Sequence, residues 1–430
     1  GMNKTRTVAI NILDCLNKNK IDYAILRNWD FLKNSKIHIG KDIDIVVDSN
    51  SVAKIDRLLR RKGFFEEKLS PFSKHKGYVK YISEDSKLLK FHFHVGGVSG
   101  RHIIYLGAEQ ALSRRSEVGK YFVLSKEDLL LTLIIHSPGS DRYSALANSI
   151  KNFDKDYLLT NLEKLLGINL SHRVFALFLK DFKLLKRARK EIRRKIFLIN
   201  PIKVYYGYIM SILWYIPRLI RGAPLITFIG MDGAGKSTAT KNIINLLKTH
   251  KISSELVYVG RGKNNILPIQ FFGRKYKKYE LRNDKLIKND HNNFKRSLVY
   301  SFAAPIYYLD FMLRYSKIFI LRRTRKIVIT DRFGTDLLLM KYVPLWLRRT
   351  LYNLMPKPDL IFYLYSDVSK LYSRKPLHPK GDLERQEKLF KNILPNLTNV
   401  KIIRTRTENQ TVKDISNELF VLWLKYYSKI

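Results

Sequence analysis

Residues 225–240 read LITFIGMDGAGKSTAT. An apolar run breaks into a glycine-rich turn and resumes as a helix-forming stretch. Residues Gly230 to Ser237 fit G-x-x-x-x-G-K-[ST]. Few short patterns constrain a fold as tightly. A strand must deliver the chain to the turn, a helix must leave it, and the strand belongs in a parallel sheet with helical crossovers. Gly230, Gly233 and Gly235 let the backbone turn sharply. With Asp232 and Ala234 they aim N–H groups inward at phosphate oxygens. Lys236 has the reach for β- and γ-phosphates, and the Ser237 hydroxyl can ligate Mg²⁺. Thr238 lies in the first turn of the following helix, whose N-terminus faces the anion. ATP and Mg²⁺ are the cofactors implied.

The chain around this loop is too long for one compact core at 430 residues. Residues 1–124 alternate short strand-like runs with helical patterns and predict an α+β domain. DYAILRN and KDIDIVVD read as strands, SVAKIDRLLRRKGF as a helix ending at Gly63, and YVKYISE and KLLKFHFHVGG as two more strands. Residues 125–220 turn helical, opened by Ser125 as a cap with Glu127 and Asp128 in the first turn. His136, after LTLII, is expected at the helix end within the core. Residues 221–430 repeat strand, loop and helix through ELVYVG, KIVITDRF, PDLIFYLYS and VKIIRTR. The fold class is α/β: a parallel-sheet domain preceded by an α+β domain and a helical connector.

Two further strands of that last region carry chemistry. KIVITDRF ends in Asp331 and Arg332, at the carboxyl end where ligands sit in such sheets. Asp331 can hold Mg²⁺ or orient an acceptor, and Arg332 can grip a phosphate bidentately. PDLIFYLYSD leads into a Pro/Gly-containing stretch with Arg374, Lys375, Lys380 and Arg385, the composition of a basic lid.

These motifs resemble the thymidylate kinase family of P-loop kinases. FIGMDGAGKST, SFAAPIYYLDF, VITDRF and PDLIFYLYSDVSKLYSRK stand in the family's order over about half the chain. The resemblance implies that Gly233 to Thr238 bind donor ATP, that Asp331 and Arg332 face the acceptor, and that Arg374 is a lid arginine. It also implies a phosphorylated small-molecule acceptor and a homodimer. Two departures bear on the substrate. VYVGRGKNN replaces the family's Arg-Glu-Pro-Gly-Gly loop, and Ala304-Pro305-Ile306 replaces its Ala-Asp-Arg. Proline and isoleucine side chains cannot donate hydrogen bonds to a nucleotide.

The first half holds a second pattern. In GKDIDIVVD, Asp42 and Asp44 stand two apart on a strand, so both carboxylates project from one face. With AILRNWD before it, the segment resembles the minimal nucleotidyltransferase family, where paired carboxylates hold divalent ions. That family's third carboxylate is replaced by His92, with His94 beside it, and Arg27-Asn28 stand near its Gly-Ser. Asp42, Asp44 and His92 are thus a candidate second metal site, in a domain that is either binding-only or an active transferase.

Charge narrows the partners. Eighty Lys and Arg face 37 Asp and Glu, a net +43 spread over both halves. Such a field draws nucleic acid, anionic membranes or phosphorylated substrates, and a lysine-rich background composition would give the same excess. No nucleic-acid reading module is recognisable. Residues 204–220 form an apolar stretch of 17, short for a span, after a basic segment at 180–195. The pair suits either a peripheral anchor on an anionic membrane or an inter-domain helix. Cys15 is the single cysteine, in keeping with a reducing cytoplasm, and the start has no signal-peptide pattern. The expected location is cytoplasmic or peripheral on the inner membrane surface.

Overall fold

The computed structural model describes the chain except for residues 1–2, 35–38, 40–41, 232, 261–264, 268–289, 341, 368, 370, 372, 374–379 and 428–430. At 218–221, 290–296, 299, 380–382 and 427 it describes backbone only. Asp232, Arg374, Lys375 and most of the insert after VYVG therefore lie outside the described residues. The chain is mixed α/β and forms two compact units, built on Gly1–Pro217 and Arg218–Tyr426.

Unit 1 is organised by a seven-stranded mixed sheet. Its strands in chain order are β1 (Tyr23–Ile25), β2 (Asp42–Val47), β3 (Phe65–Glu66), β4 (His75–Ile82) and β5 (Lys87–Val95). A separate hairpin of β6 (Gly97–Gly100) and β7 (Ile103–Gly107) follows, then β8 (Ser116–Val118) and β9 (Tyr121–Val123). The main sheet runs β3-β4-β5-β2-β1-β9-β8.

The strands' two-residue period divides the side chains between two cores. Ile43, Ile45 and Val47 of β2 join Phe91 and Phe93 of β5 in one, covered by Ile12, Leu13 and Leu16 of the helix Lys4–Lys18. Val46 goes to the other, with Leu130 and Ile134 of the helix Lys126–His136 and Leu158 and Leu162 of the helix Lys155–Leu166. Burying each large apolar side chain contributes about 1.5–3 kcal/mol. Asp44, His92 and His94 occupy the positions between, on the second face. Ser125 caps its helix as the sequence suggests, its hydroxyl accepting the Asp128 N–H at 3.1 Å. His136 ends that helix, but its side chain is exposed rather than in the core; the buried run stops at Ile135.

Unit 2 has an all-parallel sheet of β10 (Leu225–Gly230), β11 (Ser254–Tyr258), β12 (Ile327–Asp331), β13 (Leu360–Tyr365) and β14 (Val400–Arg404). Their order is β11-β12-β10-β13-β14. The central strand β10 is apolar along its length and buried from Leu225 to Ile229, as a strand covered on both faces must be. Its neighbours β12 and β13 lie on opposite sides, where the strand order reverses and ligands bind beyond the carboxyl ends.

No single helix among the described residues is long and apolar enough to cross a membrane. The helices Arg189–Ile199 and Pro201–Pro217 reach that length and composition only as a pair bent by 92°. The second of these is tied within unit 1. Ser211 Oγ and Ser70 Oγ are 2.9 Å apart, and Tyr206 meets Phe72 edge to face.

Candidate functional site

The loop after β10 is shaped by backbone that only glycine takes without strain. Gly230, Gly233 and Gly235 have φ of 149°, 87° and 85°. A Cβ on Gly230 would lie 2.4 Å from the carbonyl oxygen of Leu364 on β13. The loop's first bend and the packing of the central strands are therefore one constraint.

Gly235 hands the chain to the helix Lys236–Thr249, whose first turn has no acidic residue to occupy its free N–H groups. The Lys236 side chain is folded into the loop and only 7 % exposed. Its ammonium donates to the carbonyls of Gly230 and Met231 at 2.9 and 2.8 Å. Ser237 Oγ donates to Asp331 Oδ2 at 2.9 Å, joining the loop to the end of β12. The other oxygen, Asp331 Oδ1, is buried and has no hydrogen-bond partner among the described residues. A hydroxyl and a carboxylate in that relation are a hard-oxygen donor pair, which suits Mg²⁺.

Arg332 has φ 68°, a left-handed backbone that any residue with a Cβ disfavours. The turn is held because its N–H donates to Phe228 O at 3.0 Å and its carbonyl accepts from Thr227 Oγ1 at 3.3 Å. Its guanidinium lies 3.8 Å from the buried carboxylate of Asp336. Against the loop's other side opens a cavity of about 320 Å³, lined by Gly233, Gly235, Thr238, Asn242, Arg406 and Thr411 among others. Loop, Lys236, Ser237, Asp331 and Arg332 thus lie together at the carboxyl ends of β10 and β12.

Some of what surrounds this cleft carried no motif. Arg406 and Thr411 come from the turn after β14, and the Arg406 N–H donates to Thr411 Oγ1 at 3.2 Å. In the long helix Asp290–Arg323, Asp310 and Arg314 form a buried ion pair at 2.7 Å. Asp310 Oδ1 accepts the N–H groups of Ile266 and Leu267, and Arg314 donates to Gly260 O at 3.0 Å. The pair fastens the chain beyond β11 to that helix. Its i,i+4 spacing on a helical pattern was the available signal.

In unit 1, Asp42 and Asp44 share one face of β2, with Asp44 paired in register with His92. His92 Nδ1 lies 3.1 Å and His94 Nε2 3.5 Å from Asp44 Oδ1, while Arg27 approaches Asp44 Oδ2 at 3.3 Å. Burial alone would raise the Asp44 carboxyl. The hydrogen bonds to His92 and His94, with the nearby charge of Arg27, outweigh it and hold the group well below the usual carboxylate range. His75 completes the group from β4, set opposite His94, with no motif of its own to mark it. Burial, reinforced by His94 and His92, pushes its imidazole down to about 3, so it is neutral near pH 7. Beside Arg27 lies a cavity of about 170 Å³ lined by Asn28, Trp29, Arg142 and Tyr143.

No family model matches this chain. No curated protein matches it in sequence. Among solved structures, a thymidylate kinase of Candida albicans is similar at 17 % identity and a TM-score of 0.32, over 48 % of this chain and 94 % of that one. At that level the likeness carries no argument about this chain.

Proposed function

We propose that residues 221–430 form an ATP-dependent phosphotransferase of the nucleoside monophosphate kinase kind. The supporting observation is the glycine-bent loop at the carboxyl ends of a parallel sheet, with Lys236 inside it and Ser237 bonded to Asp331. The loop N–H groups from Gly233 to Thr238 orient the donor phosphates, and the cavity beside Arg406 and Thr411 takes the rest of ATP. Lys236 neutralises charge as the phosphoryl group moves. Ser237 and Asp331 would hold Mg²⁺, which supplies further positive charge between the phosphates. Arg332, and Arg374 as a lid residue, serve the acceptor side. Positioning and electrostatics do nearly all the work in this chemistry.

The acceptor is dTMP or another nucleoside monophosphate. A second reading is favoured by one observation. Where the resembled family places a polar reader, Ala304 is buried and Ile306 is 48 % exposed. On that reading the acceptor is the hydroxyl of a sugar or glycolipid at an anionic membrane. The protein would then sit peripherally on the inner membrane surface through the basic helix Arg189–Ile199 and the apolar side chains of Ile202, Tyr205, Ile209 and Ile212, which are exposed.

The test is ADP release from Mg-ATP by the full chain, with and without dTMP, and with Lys236→Ala as control. dTMP-dependent turnover lost in the variant supports the monophosphate reading. Binding of ATP without stimulation by dTMP, but with stimulation by glycolipid vesicles, moves the acceptor to the membrane. Binding without turnover under either condition makes unit 2 a nucleotide-binding scaffold.

A further inference from the structure

Three imidazoles converge on the second face of the unit 1 sheet. The β4–β5 register sets His75 opposite His94, and His92 opposite Gly77 on the same face. Gly77 has no side chain, and the Glu67 side chain fills the space a Cβ would take there. The ring centroids are 4.6 to 5.0 Å apart. One donor nitrogen from each ring lies within 4.8 Å of the others.

Contacts with Asp44 and Ser99 engage one nitrogen of each ring, and the packing does not account for the rest. Phe91 and Phe93 already fill the opposite core, and a buried polar atom without a partner costs about 1–3 kcal/mol. Two such atoms occur here. The Nδ1 atoms of His75 and His94 are buried and lack a hydrogen-bond partner among the described residues, and His94 is 7 % exposed. The other nitrogen of each ring is engaged: His75 Nε2 lies 3.2 Å from Ser99 Oγ, and His94 Nε2 faces Asp44. A carboxylate that accepts from imidazole N–H groups fixes their tautomer and strengthens the remaining nitrogens as donors to a metal.

We propose that His75, His92 and His94 bind a divalent transition-metal ion, zinc in preference to magnesium, with Asp44 orienting the rings of His92 and His94 and Ser99 that of His75. Imidazole nitrogen suits zinc, cobalt or nickel, whereas magnesium takes oxygen ligands. Metal–nitrogen bonds of about 2.0–2.1 Å in a tetrahedron set nitrogens about 3.4 Å apart, so the rings move inward by ~1 Å on binding. His92, whose side chain is 24 % exposed, is more open than His94 at 9 % and marks a way in. Three protein nitrogens leave a fourth position for water or a ligand oxygen.

The test uses the untagged full chain, stripped with a chelator and titrated with ZnCl₂ by calorimetry and with CoCl₂ by visible absorption. One ion per chain is expected, with a raised unfolding temperature and no displacement by millimolar MgCl₂. His75→Ala and His94→Ala should each weaken zinc binding at least 100-fold while ATP binding by unit 2 is retained. X-ray absorption at the zinc edge of the wild-type chain should count three imidazole ligands, a readout that needs no variant. Absence of zinc binding, an unchanged affinity in the His75 and His94 variants, or oxygen-only coordination displaced by MgCl₂ would each overturn the proposal. The last result would assign the ion to Asp42 and Asp44.

Discussion

The loop of unit 2 and the histidine cluster of unit 1 are built in opposite ways. Gly230, Gly233 and Gly235 lie in one short segment, and their own backbone torsions set its bends. His75, His92, His94 and Asp44 come from three strands and meet only because β4, β5 and β2 pair in one register. A site written in one segment keeps its geometry through local torsions. A site assembled across a sheet inherits its geometry from the whole core, so its residues carry stability and chemistry together.

That contrast can be broken most sharply at Lys236. Lys236→Ala should lower acceptor-dependent turnover by about 10²–10³-fold while the unfolding transition stays in place. Steady-state ADP release beside thermal unfolding checks both halves of the statement. A large loss of stability would mean that the loop is as bound up with its core as the histidine cluster is.

Gly230→Ala is the exception within the loop. Its Cβ would press on Leu364 O in a backbone region that L-residues avoid, and a loss of about 3 kcal/mol or more in denaturant unfolding is expected. Asp44→Asn tests unit 1 in the same units. It takes the charge from a carboxylate that faces His92, His94 and Arg27, and should cost about 1–3 kcal/mol in the metal-free chain. An unchanged midpoint would show the cluster to be separable from its fold.

Asp128 sharpens the comparison with the smallest effect. It is fully buried, as Asp44 nearly is, and accepts the Tyr157 hydroxyl at 2.8 Å. Burial raises its carboxyl above the usual range, despite the hydrogen bonds from Tyr157 and at Ser125 that pull the other way. Such a group favours the fold fully below the unfolded carboxylate value of about 3.9 and loses that contribution as pH rises through the higher folded value. Asp128→Asn should therefore melt a few degrees above wild type near neutral pH, and the gap should close as pH is lowered to about 4. A constant gap across that range would remove the titration as its cause.

The same contrast governs what is legible in the sequence. β10, β12 and β13 were legible as apolar runs, and the loop as a motif, because each is local. Asp42 and Asp44 were legible as a pair because a strand's period is two. His75 was not, since nothing in its own segment records that the β4–β5 hairpin sets it against His94. Arg406 and Thr411 likewise meet the loop only through the order of the parallel strands. The buried pair of Asp310 and Arg314 stood four apart on a helix, but their shared grip on Gly260, Ile266 and Leu267 is long-range.

Arg332 carries a consequence of another kind. Its left-handed backbone would suit glycine better by about 1–2 kcal/mol. Gly260, which has no side chain, leaves room for the arginine's Cδ: a Cβ built there would come within 2.7 Å of it. A chain tuned for durability alone would hold glycine at 332, and a laboratory selection for heat resistance that ignores turnover should drift there. On the proposed function the guanidinium is kept at the expense of robustness, which makes this position a place where endurance and usefulness pull apart.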